Sequence, residues 1–255
     1  MNENTDISKR DIVLKIKDLH KSFGDNHVLN GFNLELHQGE NLVIMGKSGS
    51  GKSVMIKCLV GLMEADSGTI SVMKNDITKL DREALDILRA DIGFLFQGSA
   101  LYDSMSVREN LEFPLRRHSK KFKKDTDTES MIIEALENVG LASAIDLMPS
   151  ELSGGMKRRV ALARTLILQP KIILYDEPTS GLDPITAKEI IILMQSIQKK
   201  YNTSALIITH DVDCARVISD RMILLIDGID YAEGTYKELS ASEDPKIKAF
   251  FKQEL

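Results

Sequence analysis

The chain has 255 residues and a formal net charge of −5 at pH 7, and hydrophobic residues make up 43% of it. This length and composition allow one large α/β domain, or one domain with a sizeable insertion. The negative charge argues against nucleic acid as the main partner, because proteins that bind nucleic-acid phosphates usually carry a basic surface.

The ends of the chain and its apolar runs bear on where it works. Residues 1–10 mix acidic and basic side chains and do not resemble a signal peptide. No apolar run reaches the roughly 18 residues that span a bilayer. Cys58 and Cys214 lie in apolar, helix-like surroundings, as small buried residues do in a reducing compartment. We expect a cytoplasmic protein that reaches a membrane only through a partner.

Two strands are predicted at the start, over residues 12–16 and 28–36. Phe23 and Gly24 lie between them. From the residues alone, a single aromatic side chain at such a place indicates packing in the core or at a turn.

A glycine-rich segment follows the next predicted strand, Leu42–Met45. It matches the pattern G-x-x-x-x-G-K-[ST] in full, and its residues are Gly46, Lys47, Ser48, Gly49, Ser50, Gly51, Lys52 and Ser53. Glycine lets the backbone curl so that N–H groups surround phosphate oxygens, and the helix that follows adds its positive end. Lys52 can reach the terminal phosphates, and the Ser53 hydroxyl can bind Mg²⁺. The segment predicts a nucleoside-triphosphate site.

The middle of the chain alternates between predicted strands and helices. Residues 67–72 and 92–96 are predicted strands, and 81–90 is a charged helix between them. The second strand ends at Gln97, whose amide either caps the turn or serves a site. Residues 107–139 have an amphipathic helical pattern, which Pro114 interrupts.

A dense basic run, Arg116–Lys124, divides this helical region. Such a run is usually a solvated loop. The alternative is contact with anionic lipid head groups, at about 1 kcal/mol for each basic residue near the surface. The sequence leaves both interpretations open.

Ser153, Gly154 and Gly155 open the next predicted helix, which runs to about Leu168. This turn is either an ordinary cap or a second anion-binding helix end, with exposed N–H groups and a serine hydroxyl.

Two adjacent carboxylates, Asp176 and Glu177, follow the apolar run at residues 171–175. Carboxylates at the end of a buried strand are costly without a task. In a P-loop protein the first typically holds Mg²⁺, and the second can polarise a water for attack on the γ-phosphate.

The last third predicts a helix from Asp183 to about Lys200, then a buried strand at 205–209 that ends at His210. A histidine at a strand end is more often structural than catalytic. A hairpin is predicted at Asp227–Gly228 and a final amphipathic helix over 245–255.

The set and order of these motifs resembles the ATP-binding cassette (ABC) ATPases over nearly all of residues 10–240. The resemblance implies an α/β P-loop NTPase of ABC type. Its parts would be a mixed RecA-like core sheet, an antiparallel β subdomain and an α-helical subdomain inserted at about 98–168. Residues 10–240 would form a single ATPase domain, and 241–255 a C-terminal helical tail.

The resemblance also assigns residues to the cofactors, ATP and Mg²⁺. Phe23 resembles the aromatic residue that stacks on adenine, although many relatives have Tyr there, and residues 46–53 bind the phosphates. Gln97 resembles the Q-loop glutamine, which contacts Mg²⁺ and water and senses the membrane partner.

The chemical step falls to three further positions. Asp176 matches the aspartate that binds Mg²⁺ together with Ser53, and Glu177 matches the general base. His210 matches the histidine that holds the γ-phosphate and the attacking water.

The signature residues Ser153, Gly154 and Gly155 look like those that reach the γ-phosphate bound to the other subunit. Asp183 resembles the residue that bridges the two sites. The resemblance therefore implies a head-to-tail homodimer.

A closer resemblance concerns Met156, where the family norm is glutamine. The segment 152–164 is similar to the ATPases of MCE-type lipid transporters, the maintenance-of-lipid-asymmetry systems, and so are residues 97–111 and 176–185. This implies a subunit at the cytoplasmic face of the inner membrane, with integral-membrane permeases and an MCE-domain lipid-binding partner. What the missing amide usually does is left open.

Three alternatives remain. The chain could serve another ABC transporter, for lipoprotein export or solute import. A soluble ABC ATPase acting on DNA would need a long heptad insertion between Ser53 and Leu152, which the sequence lacks. A scaffold with degenerate chemistry conflicts with the intact Lys52, Asp176 and Glu177.

An apolar cluster beside Gln97 is formed by Phe96, Leu101, Tyr102 and Met105. By resemblance, a permease helix docks here; otherwise these side chains fill the helical subdomain's own core. The docking hypothesis expects Leu101 and Tyr102 to be exposed.

Overall fold

The computed structural model describes residues 7–123 and 126–251. Lys124, in the basic run, and residues 252–255, in the expected C-terminal tail, lie outside the described residues. The chain divides into two compact units, residues 1–86 with 204–255 and residues 87–203.

Strands and helices alternate along most of the described chain. The strands are β1 Ile12–Phe23, β2 Asn26–His37, β3 Asn41–Met45, β4 Ser67–Val72, β5 Asn75–Asp76, β6 Ile92–Leu95, β7 Ile172–Asp176, β8 Ser204–Thr209, β9 Arg221–Ile226 and β10 Ile229–Gly234. The α-helices are α1 Lys52–Leu59, α2 Arg82–Arg89, α3 Val107–Arg117, α4 Thr128–Asn138, α5 Gly154–Leu166, α6 Pro184–Tyr201, α7 Val212–Ile218, α8 Tyr236–Ser240 and α9 Pro245–Phe251.

In the first unit, an antiparallel sheet has the strand order β2-β1-β4-β5. Leu14 pairs with Leu36 and Ile16 with Leu34, and all four side chains are buried. The sequence analysis ended the first strand at Ile16, which is wrong, because β1 continues to Phe23 through several register shifts. Because the exposed part of β1 carries polar side chains, the alternation of apolar and polar residues that identifies a strand in a sequence is lost there.

The first unit also contains four strands in the order β10-β9-β3-β8. β3 lies between β8 and β9 and runs parallel to both, and every residue of β3 and β8 is buried. Parallel strands covered on both faces read as continuous apolar runs, which is how the sequence predicted them. The carboxyl ends of β3 and β8 lie side by side, since Met45 pairs with Thr209. Ligands of α/β sheets bind at such an edge.

A buried ion pair secures the start of β3. Glu40 is 0% exposed and accepts from Arg221 Nε at 2.7 Å. The other carboxylate oxygen accepts from the backbone N–H of His37 at 2.8 Å. The charge is therefore fully bonded, as a buried carboxylate must be.

In the second unit, β6 and β7 pair in parallel, with Leu95 opposite Tyr175. Gly93 lets α5 approach the sheet, since a Cβ there would lie 2.6 Å from Thr165 Cγ2. Helices α3, α4 and α5 pack on one another. The predicted helical subdomain at 98–168 falls inside this unit, which also contains β6, β7 and α6. None of the described helices has the length and hydropathy that crossing a bilayer requires.

Candidate functional site

The loop between β3 and α1 is built for an anion. Gly49 and Gly51 have φ values of 80° and 103°, which other residues adopt only with strain. A Cβ on Gly51 would lie 2.9 Å from the Val28 carbonyl oxygen, and one on Gly46 would lie 2.9 Å from that of Leu225. The glycines are therefore required by backbone conformation and by packing, and the loop curls as the sequence predicts.

Lys52 closes this loop from inside. Its buried ammonium group donates to the carbonyl oxygens of Gly46 at 2.6 Å and Lys47 at 2.9 Å. The first turn of α1 contains no acidic residue, so the positive end of the helix is not neutralised locally. The buried Ser50 hydroxyl has no hydrogen-bond partner among the described residues. Lys52, α1 and Ser50 together suit a phosphate group.

His210 and Phe23 also belong to the first unit. His210 is exposed and follows β8, so it starts from the strand end next to Gly46. Phe23 ends β1 at a hairpin and is 49% exposed, with Lys21 Nζ 5.5 Å from its ring centroid. The aromatic ring is thus available for stacking. Of the two places that the residues alone indicated, the core and a turn, Phe23 occupies the turn.

A cavity of about 420 Å³ lies beside the loop. Its lining comprises Asn26 to Val28, Lys47 to Ser50, Leu225 to Gly228, and Lys246, Ala249 and Phe250 of α9. Lys246 also pairs with Asp227 at 2.8 Å, which holds α9 at the hairpin.

In the second unit, the two carboxylates end β7. Asp176 and Glu177 are half-buried, and Glu177 has a φ of 49°. This left-handed conformation costs a non-glycine residue about 1–3 kcal/mol. A turn holds it, because Ser180 N–H donates to the Glu177 carbonyl oxygen at 3.2 Å.

Gln97 lies at the neighbouring strand end. It follows β6, whose Leu95 pairs with Tyr175 of β7, and its side chain is exposed. Gln97 Nε2 donates to Ser180 Oγ at 3.3 Å. The glutamine and the carboxylate pair therefore share one edge of the sheet, and the Glu177 turn connects them.

Ser153 is the N-cap of α5, and its side chain accepts from Met156 N at 3.2 Å. Gly154 is exposed and Gly155 is half-buried, and the first turn contains no acidic residue. The turn is a cap, and its unneutralised helix end also suits an anion, so both interpretations from the sequence fit the geometry.

Asp183 caps α6. Its carboxylate accepts from Ile185 N at 3.1 Å, from Thr186 N at 3.0 Å and from Thr186 Oγ1 at 2.5 Å. The Thr186 hydroxyl, with these amides, lowers the pKa of Asp183 from its usual value. The side chain is thus ionised and held in one orientation at neutral pH.

The described part of the basic run, residues 116–123, is partly used by the fold. Lys121 Nζ donates to Asp91 Oδ1 at 2.6 Å and to the Ala90 carbonyl oxygen at 2.8 Å. Arg116 Nη1 lies 3.7 Å from Glu112 Oε2. Arg116 and Arg117 lie in the last turn of α3, where cations are favourable. The sequence analysis took a solvated loop as the usual case, but Arg116 and Arg117 belong to α3 and Ser119–Lys121 form a 3₁₀ helix, so most of the described run is helical.

Sequence reasoning assigned no role to three residues that hold these loops: Ser180, Thr186, and Arg158, which donates to the carbonyl oxygens of Phe96 and Ser180. Arg158 left a weak signal, because it occupies a buried position of α5 close to the apolar residues Val160 and Ala161. Ser180 and Thr186 left none, because their partners are set by loop geometry.

Comparison with known proteins gives concordant matches. A family model described as "ABC transporter" matches residues 29–180. The chain is 38% identical to the "Probable ribonucleotide transport ATP-binding protein mkl" of Mycobacterium leprae (strain TN), over 94% of this chain and 68% of that protein. It is 40% identical to the "Methionine import ATP-binding protein MetN" of Clostridium tetani, over 95% of this chain and 75% of that protein.

Two further matches concern a plant protein and a solved structure. The chain is 35% identical to "Protein TRIGALACTOSYLDIACYLGLYCEROL 3, chloroplastic" of Arabidopsis thaliana, over 94% of this chain and 73% of that protein. The dimeric ATP-binding cassette MJ0796, solved in a post-hydrolysis state bound to ADP and Pi, superposes with a TM-score of 0.78 at 33% identity. That match covers 88% of this chain and 98% of the other.

Proposed function

The chain belongs to the ABC transporter family of ATPases, and we propose that it powers the movement of phospholipid between the inner and outer membranes of a diderm bacterium. The proposal of a phospholipid cargo rests on the segment 152–164, in which Met156 stands where the family usually has glutamine. That segment resembles the MCE-type lipid transporters. The relative named for trigalactosyldiacylglycerol supports a lipid cargo.

ATP binding centres on the loop of residues 46–53. Its N–H groups and the α1 N-terminus hold the phosphates, and Lys52, already inside the loop, bonds the terminal ones. The orphaned Ser50 hydroxyl gains a phosphate partner. Phe23 stacks on adenine, which suits an aromatic ring that is 49% exposed.

The residues present fit Mg²⁺. Among the described residues no group of three or more His, Cys, Asp or Glu side chains could hold a metal alone. This suits Mg²⁺, which binds through one or two protein oxygens together with waters and substrate phosphates. By the resemblance to the family, Ser53, Gln97 and Asp176 would be its oxygen donors. When bound, the ion would neutralise charge on the phosphate oxygens.

Glu177 is the proposed general base. The Ser180 turn fixes the strained backbone at Glu177, and from this position the carboxylate would take a proton from the attacking water. His210 holds that water and the γ-phosphate. Fixed groups of this kind need little rearrangement during the reaction, which is how they lower the barrier.

The proposed active form is a homodimer. Ser153, Gly154 and Gly155 present an exposed serine hydroxyl and a helix N-terminus, which would reach the γ-phosphate held by the other subunit. Asp183, held by Thr186, would set the link between the two sites. The dimeric state of MJ0796 supports this arrangement.

The proposed docking surface for a permease helix is the apolar cluster of Phe96, Leu101, Tyr102 and Met105. Phe96 is 41% and Tyr102 44% exposed, which fits a surface kept for a partner. Leu101 was also expected to be exposed, and this is wrong, since it is half-buried. Asn110 explains the difference, because it bonds the backbone of Tyr102 in both directions, at 2.9 and 3.1 Å, and so draws the loop onto α3.

Two outcomes separate lipid transport from the second candidate, solute import, which the names of the mkl and MetN relatives favour. The tagged full chain, expressed with its neighbouring genes, should copurify with a permease and an MCE-domain protein. The reconstituted complex should move labelled phospholipid between vesicles with ATP, and the same complex with Glu177→Gln should not. Copurification with a solute-binding protein, and transport of its solute instead, would replace the lipid proposal.

A further inference from the structure

The Arg158 guanidinium group is buried in the second unit and bonds only backbone carbonyls among the described residues. Arg158 lies in the second turn of α5 and is 4% exposed. Nη1 donates to the Phe96 carbonyl oxygen at 2.8 Å, and Nη2 to that of Ser180 at 3.3 Å. Burial lowers the pKa of the guanidinium from its usual value, and no carboxylate offsets that effect. A buried cation of this kind is costly, so a specific use for its donors is expected.

The two acceptors belong to the loops that carry the proposed chemistry. Phe96 immediately precedes Gln97, and Ser180 closes the turn that holds Glu177, through its N–H bond to the Glu177 carbonyl oxygen at 3.2 Å. A second link lies alongside, because Gln97 Nε2 donates to Ser180 Oγ at 3.3 Å. The planar guanidinium group of Arg158 therefore links the backbone before Gln97 to the turn that bears Glu177.

This guanidinium group belongs to α5, the helix that begins at the signature residues. Ser153 is the N-cap of α5, and Arg158 lies just over one turn further along. The adjacent Arg159 behaves differently, since its guanidinium reaches the surface and pairs with Glu189 at 2.6 Å. Arg164, further along α5, also points inward and donates to the Ser99 carbonyl oxygen at 3.1 Å, but of the three arginines on α5 only Arg158 links the carbonyl oxygens of Phe96 and Ser180.

We propose that Arg158 is a positioning residue, which fixes the backbone at Phe96 relative to the turn that bears Glu177. A displacement at Gln97, where the partner is sensed, then reaches the general base through this guanidinium. The inference rests on the roles proposed above for Gln97 and Glu177. It adds a residue that touches neither nucleotide nor water and acts through two carbonyl oxygens.

The test compares Arg158→Met, Arg158→Lys and the control Arg108→Met in the full chain, with kcat, KM and ATP affinity measured below the unfolding transition. Arg108 lies in the same unit and pairs with Glu129 and Asp146 at the surface. We expect Arg158→Met to lower kcat by about 10- to 100-fold, the loss typical of a small misplacement of a catalytic group. ATP affinity and KM should stay within about twofold, since a charge-assisted phosphate contact is not removed. Arg158→Lys should recover part of kcat, and Arg108→Met should match the wild type.

A double-mutant cycle with Ser180→Ala tests the joint itself. This substitution removes the Gln97–Ser180 side-chain bond while leaving the Ser180 carbonyl in place. If the Arg158 bonds and the Gln97–Ser180 bond stabilise the same contact between the two loops, the combined loss in kcat should differ from the product of the single losses by at least about threefold. A folded Arg158→Met protein with wild-type kcat, or losses that simply multiply, would overturn the proposal. If Arg158→Met does not fold, a folded Arg158→Lys protein with wild-type kcat would do the same.

Glu177→Gln, measured in parallel, separates this inference from the proposed function. If Glu177→Gln is inactive while Arg158→Met is fully active, only the positioning role is lost. If Glu177→Gln turns over at the wild-type rate, the general-base assignment fails, and the positioning role fails with it.

Discussion

The two signature glycines should respond differently to the same substitution. A Cβ at Gly155 would lie 2.7 Å from Thr186 Cγ2, whereas one at Gly154 would meet nothing within 4 Å. Thr186 cannot easily turn away, because its hydroxyl donates to Asp183 Oδ2 at 2.5 Å. Gly155→Ala must therefore push α5 away from α6 or break that bond.

The magnitude follows from two contributions. Replacing glycine by alanine in a helix gains up to about 1 kcal/mol, and both variants share this gain. Overpacking at Gly155 costs about 1–3 kcal/mol. The difference between the two variants therefore isolates the contact with Thr186, and Gly155→Ala should be the less stable by about 1–3 kcal/mol.

Urea unfolding of the two variants measures this difference. With a slope of about 3 kcal/mol per molar, the midpoints should differ by about 0.3–1 M. Thr186→Ser removes Cγ2 but keeps the hydroxyl bond to Asp183, so the double variant Gly155→Ala/Thr186→Ser should recover most of the loss. Equal midpoints for Gly154→Ala and Gly155→Ala, or no recovery in the double variant, would refute the reasoning.

Three further predictions concern the proposed roles. Glu177→Gln should stop turnover and let ATP trap a dimer in size-exclusion chromatography, because only the base is lost; hydrolysis near the wild-type rate would remove Glu177 from that role. Lys52→Ala should weaken ATP binding in calorimetric titration by about tenfold or more, since a charge-assisted bond is worth about 1.5–3 kcal/mol; unchanged affinity would contradict the phosphate-loop assignment. Changing Leu101 and Tyr102 to serine should abolish copurification with the permease while ATP affinity holds, and Ile192→Ser, at a side chain 54% exposed elsewhere in the same unit, should not. A serine variant that unfolds, or that still copurifies with the permease, would favour the core interpretation.

The sequence analysis was most successful where function requires a local pattern. The phosphate loop needs glycine at positive φ and a lysine at a fixed distance, so Gly51 and Lys52 identify it without tertiary information. The buried strands β3 and β8 could also be predicted from a local pattern, because parallel strands covered on both faces are continuous apolar runs. The predicted ABC-type α/β fold and the ATPase class are confirmed by the family and structural matches.

Features set by distant partners could not be predicted from the sequence. The left-handed conformation of Glu177 has no sequence signal, since glutamate does not favour it and the Ser180 turn imposes it. The half-burial of Leu101 depends on Asn110, whose side chain bonds the loop backbone. The internal position of Arg158 depends on two carbonyl oxygens that lie 62 and 22 residues away along the chain.

These contacts indicate why the residues proposed to act in hydrolysis depend on the loops that hold them. Glu177 occupies a costly backbone conformation, which persists only while surrounding bonds hold it. Those bonds come from Ser180, which Gln97 and Arg158 contact from two sides. A change at Gln97 would therefore alter the support of the proposed base directly, with no movement of β7 required. Under the proposed roles, coupling between a partner and hydrolysis would need only a small displacement at Ser180, because packed segments switch between discrete arrangements and do not deform continuously.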